Sequence, residues 1–108
     1  MAIPHAQSGE VVDVRPLGSA LSSSRTTTLA KTDNLEIIRL VIPAGKTIAE
    51  HRVTGEITVQ CLEGHVTFRF GNTERALTAG QLLFLKGGET HALNAIDDSS
   101  VLVTIVLS

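Results

Sequence analysis

Beyond residue 35 the chain is a succession of short apolar runs, each closed by a turn signal. Residues 36–42 are rich in β-branched side chains and stop at Pro43, Ala44 and Gly45. Residues 57–62 end at Glu63 and Gly64. Residues 65–70 alternate cleanly: Val66, Phe68 and Phe70 face one way, and His65, Thr67 and Arg69 the other. Gly71 and Asn72 then turn the chain into a return strand at 73–77. A short apolar strand at 81–85 lies between Gly80 and the Gly87-Gly88 pair. Two last runs, 91–96 and 101–107, flank Asp97, Asp98, Ser99 and Ser100. Turn signals roughly 8–12 residues apart predict an all-β sandwich or barrel.

No segment there keeps a helical period. The best helix candidate is 16–23, with Pro16 suited to a first turn, but Gly18 and the serines weaken it. Thr26, Thr27 and Thr28 favour the start of an early strand. The pattern predicts one domain: an N-terminal arm with the first strand over 1–24, its first nine residues loose, and an antiparallel β-barrel over 25–108. Residues 35–42 are apolar on both faces, and 101–107 are similar. Such strands need a cover on the outer side. A second subunit, giving a homodimer, would supply it, and so would the chain's own arm.

Composition narrows the function classes. The 108 residues are 43% hydrophobic, enough for a compact core. A net charge of −2 with both signs interspersed gives no basic stripe for nucleic acid, and 3% aromatics without Trp or Tyr gives no platform for stacking bases. No apolar run is long enough to span a membrane, and the N-terminus lacks the pattern of a secretory signal. One cysteine cannot form an internal disulfide, which fits a cytoplasmic location.

Two stretches share a plan in which a glycine precedes an extended segment and a histidine follows. Gly45 stands six residues before His51, and Gly80 eleven before His91; Gly64 closes a hairpin after Leu62 and Glu63. Over roughly half the chain, from Gly45 to about Ile96, this framework resembles the two motifs of the cupin superfamily (RmlC-like). The resemblance implies a cupin-type barrel, a double-stranded β-helix of jelly-roll kind. In complete members three histidines and a carboxylate from these motifs hold a metal.

Here the motif is degenerate. His51 and His91 occupy two of the family's ligand positions, but Val53 stands at the second-histidine position and Ile57 at the carboxylate position. Lys86 replaces the family proline, and the family asparagine falls at Ala95, beside Asn94. Strand parity carries His51 and Val53 inward and, across Thr54-Gly55, also Ile57, Val59 and Cys61. The expected cavity then holds His51 and His91 facing each other across it, with Val53, Ile57, Cys61 and Leu93, and is mostly apolar. A bulge at Gly55 would flip the parity, bringing Glu56 in as a carboxylate ligand with Gln60 nearby. Cys61 has no adjacent base or cation and reads as a small buried hydrophobe.

Two functions follow as expectations. One is a module that binds or senses a small, partly apolar molecule, with both histidines as hydrogen-bonding groups at the mouth. The other is a metal-dependent cupin enzyme of dioxygenase or isomerase type, in which His51 and His91 anchor a divalent transition metal completed by water or substrate. A structural dimer without a ligand is a third reading.

Overall fold

The computed structural model describes residues 5–107. Nine strands are found among them: β1 (Thr27–Lys31), β2 (Leu35–Ile42), β3 (Thr47–His51), β4 (Ile57–Glu63), β5 (His65–Phe70), β6 (Thr73–Thr78), β7 (Leu82–Leu85), β8 (His91–Ala95) and β9 (Ser99–Val106). They form a five-stranded sheet in the order β1-β2-β9-β4-β7 and a four-stranded sheet in the order β3-β8-β5-β6. All neighbours are antiparallel. Apart from the β5–β6 and β1–β2 hairpins, each connection passes from one sheet to the other.

The expected barrel is open rather than closed. β6 ends one sheet and β7 the other, and no ladder joins them among the described residues. The turn at Gly80, which has a positive φ of 90°, explains the break. It directs the chain away from β6 and onto β4, where the Gly80 amide donates to the Cys61 carbonyl at 2.8 Å.

Alternation builds the core between the sheets. On β4, Ile57, Val59 and Cys61 are buried, and on β5 Val66 and Phe68 meet them from the opposite sheet. β9 continues the floor with Val101 and Val103, which lie beside Cys61 and Val59 in register. β2 adds Ile42, with Leu40 packed against the cluster.

One irregularity positions the site. Ile48 of β3 pairs with Leu93, and His51 pairs with His91. Three residue steps on β3 therefore match two on β8, so an extra residue is bulged out between them. The bulge places Ile48 and His51 on the same face despite their odd separation. Parity across Gly55 is not flipped: Ile57 is buried and Glu56 exposed.

The N-terminal segment differs from expectation in two ways. The helix candidate forms only a short 3-10 helix, Gly18–Ser23, held over the sheet by buried Leu21. The first strand begins at Thr27, outside residues 1–24, because the threonine run pairs with β2. The arm is fastened by Glu63: its carboxylate accepts from the Leu17 amide at 2.8 Å, the Gly18 amide at 3.1 Å and the Ser100 hydroxyl at 2.6 Å. Within the segment expected to be loose, the Ala6 amide donates to the Leu29 carbonyl at 2.8 Å, while residues 1–4 lie outside the described residues.

Candidate functional site

The two histidines come together at one end of the four-stranded sheet. His51 closes β3, His91 opens β8, and the two are cross-strand partners. Their ring centroids are 4.3 Å apart, with the planes at 63°. They are side-by-side neighbours on one sheet, not groups facing each other across a cavity, because the bulge in β3 brings them into register.

Their surroundings differ. His91 is buried, at 6% exposure, and lies against Phe68 with centroids 5.4 Å apart and planes only 16° from parallel. His51 is exposed and forms the outer edge of the pair. Each imidazole is oriented by its own chain. The Nδ1 of His51 lies 3.0 Å from the Ala49 carbonyl, and that of His91 lies 2.9 Å from the Glu89 carbonyl. A carbonyl only accepts, so in the tautomer that makes this hydrogen bond each ring carries the proton on Nδ1 and keeps a lone pair on Nε2.

Burial holds the His91 imidazole below its ordinary pKa; the Glu89 carbonyl opposes this and the nearby His51 adds to it. The folded chain thus favours neutral His91 more than the unfolded chain does. Its contribution to stability is complete above the unfolded value, about 6.5. It is lost as pH falls from there towards the lowered folded value. Urea midpoints measured at neutral pH and near pH 5 should therefore show a loss of stability in acid that His91→Gln reduces. An unchanged acid loss in that variant would contradict this assignment.

Leu93 is buried two positions along β8 from His91, opposite Phe68 and Ile48. Val53 packs against the core just beyond β3, and its carbonyl accepts from the Gly88 amide at 2.8 Å, tying the two rim loops together. Ile57 is buried at the start of β4, on the facing sheet. Cys61 is not at this end: it sits four residues further along β4, roughly 13 Å at strand rise. It is fully buried, its thiol is pushed up in pKa by burial, and its Sγ lies 3.5 Å from the Glu63 carbonyl. Glu56 is exposed and Gln60 half-buried on the side of β4 opposite its core residues.

The donor set does not fit a metal held by the family's scheme. Among the described residues no group of three or more His, Cys, Asp or Glu side chains could hold an ion. Two imidazoles fall short of the four to six donors a divalent ion prefers. At the positions that the cupin motif gives to the other two ligands, the sequence has aliphatic Val53 and Ile57.

Phe68 and Phe70 also belong to the site, although no motif marks them. Phe70 is the β5 residue in register with His91, and Phe68 stacks on that ring. Alternation showed their shared face, but only the pairing of β5 with β8 shows which residue they meet.

Residues 42–106 match the sequence profile of the AraC-like ligand binding domain, which is more than half of the chain. The chain belongs to that family. Solved structures place this AraC-like domain in the cupin fold. It is similar to a cupin superfamily protein from Desulfitobacterium hafniense, with 18% identity over 95% of this chain and 100% of that one, at a TM-score of 0.79. A conserved protein of unknown function from Streptococcus pyogenes aligns over 100% of this chain and 96% of its own, at 21% identity and a TM-score of 0.77. An RmlC-like cupin from Desulfovibrio desulfuricans aligns over 90% and 97%, at 23% identity and a TM-score of 0.74. No curated protein sequence matches the chain. No helix of the AraC-like domain's described residues is long and apolar enough to cross a membrane.

Proposed function

We propose that this AraC-like domain is a small-molecule binding module whose ligand is recognised at the His51–His91 edge without a metal. The observation that carries the reading is the shared orientation of the two imidazoles. Both Nδ1 atoms are turned to backbone carbonyls, which leaves two Nε2 acceptors on adjacent strands. Phe68 and Leu93 supply an apolar floor beside them. The arrangement suits a partly apolar molecule that donates hydrogen bonds, as hydroxyl or amide groups do.

Histidine-resolved NMR with a set of hydroxyl- and amide-bearing aromatic fragments tests it. Fragments that bind should move the ring resonances of both histidines together, and His51→Ala should weaken them. Fragments that bind while leaving both rings unmoved would overturn the reading.

The protein is further proposed to be a homodimer through the outer face of β9, β4 and β7 in the five-stranded sheet. Leu82 and Phe84 are 58% and 59% exposed there, and Thr58, Gln60, Leu102 and Thr104 continue an uncharged surface beside them. A two-fold interface sets a face against itself, which an uncharged face tolerates. Sedimentation should give twice the chain mass of 11.4 kDa, and Phe84→Lys should halve it. Wild-type protein sedimenting as a monomer would contradict this.

A further inference from the structure

Arg39 interrupts an otherwise apolar stretch of β2. Its side chain lies on the outer face of the five-stranded sheet, in register with Thr27 and Leu102, yet it is only 7% exposed. A guanidinium carries five N–H donors and a permanent charge, and burying it is costly unless both are matched. One donor is used: Nη2 donates to the Arg15 carbonyl at 2.6 Å. The buried Nε has no hydrogen-bond partner among the described residues.

The nearby carboxylates do not fill this role. Asp13 and Glu63 lie close enough to feel the charge of Arg39. Asp13, however, is gripped through both oxygens by Arg15. Glu63 already accepts from Leu17, Gly18 and Ser100. The Arg15–Asp13 contact is the sole ion pair among the described residues.

Arg39 lines a groove of about 770 Å³ between the N-terminal arm and the first two strands. That volume lies within the range of small-molecule sites. Arg25 adds a second positive charge to the wall, and the one carboxylate there, Asp13, is neutralised by Arg15. Thr27 and Thr28 contribute polar wall, and Leu17 and Leu29 apolar wall.

We infer that this groove is a second ligand site, which takes the carboxylate of a small organic molecule on Arg39. The charge balance calls for an oxyanion, and a guanidinium pairs well with a carboxylate. The apolar wall calls for an organic body attached to it. The groove is built by the arm, β1 and β2, whereas the histidine pair sits on β3 and β8, so the two sites stand independently. A molecule held there touches both the arm and the sheet and fastens one to the other.

The test uses the intact chain and the Nε–H resonances of its arginines, titrated with acetate, butyrate and inorganic phosphate against sodium chloride at matched ionic strength. The Arg39 resonance should shift saturably with acetate in the millimolar range, several-fold more tightly with butyrate, and not with chloride. The Arg25 resonance should follow with the same midpoint, and Arg39→Gln should abolish that shift. Arg25→Ala, an exposed wall position that leaves the fold intact, should weaken it several-fold and serves if Arg39→Gln fails to fold. The absence of saturation with either carboxylate, tighter binding of phosphate than of butyrate, or unchanged affinity in Arg25→Ala would each overturn the assignment.

Discussion

Replacing Val53 with histidine and Ile57 with glutamate in one chain should create a four-donor transition-metal site. The two positions stand at the mouth of the fold with His51 and His91, and the turns that bring them there are intact. Gly55 lies so close to the Val106 carbonyl that any Cβ would overlap it, and Gly87 meets the Thr54 carbonyl in the same way. The rim loops are therefore fixed by backbone approach rather than by the missing ligands. Four donors would satisfy a zinc ion, and affinity should rise to micromolar or better, on the order of 8 kcal/mol of binding free energy. Without metal the double variant should be less stable than the parent, because Ile57→Glu puts a carboxylate where the core now holds an aliphatic side chain. Zinc should restore that loss, since binding to the folded state alone stabilises it. Calorimetry showing no more zinc uptake than the parent would mean that positions 53 and 57 do not converge on the histidine pair.

The second large effect is expected at Gly64. This residue turns β4 into β5 with a positive φ of 90°, and a Cβ there would overlap the Ser99 side chain and the Asp98 carbonyl. Gly64→Ala should cost about 3 kcal/mol or more, combining backbone strain with overpacking against buried Ser99. For a domain of this size that is roughly a 15 °C fall in Tm. Gly71→Ala is the matched control. Its φ is also positive, at 55°, but nothing lies within 4 Å of the added methyl. It should cost only about 1 kcal/mol, the left-handed penalty alone. Equal losses in the two variants would show that the close approach at Gly64 does not matter.

The strands were legible because their residues alternate or cluster between glycines. The facing of Ile57, Val59 and Cys61 followed from parity, which depends only on local backbone geometry. What parity does not give is depth along a strand, so Cys61 was grouped with the histidines although it lies near the other end of β4. The bulge before His51 carries no marker residue: Ala49 and Glu50 suit a regular strand equally well. The contact of Phe68 with His91 depends on register between strands distant in sequence. Arg39 lies in a strand whose pattern is apolar on both faces, and only the folded arm shows that it is buried with a donor unmatched. The open edge between β6 and β7 was likewise invisible, because closure depends on where the turn at Gly80 sends the chain.

The central claim, recognition at the histidine edge without a resident metal, is tested most directly by native mass spectrometry of chain purified without an affinity tag, paired with elemental analysis of the same sample. The account predicts transition metal far below one ion per chain and no change in the histidine ring resonances when a chelator is added. Near-stoichiometric metal that is lost in His51→Ala and His91→Ala would contradict it.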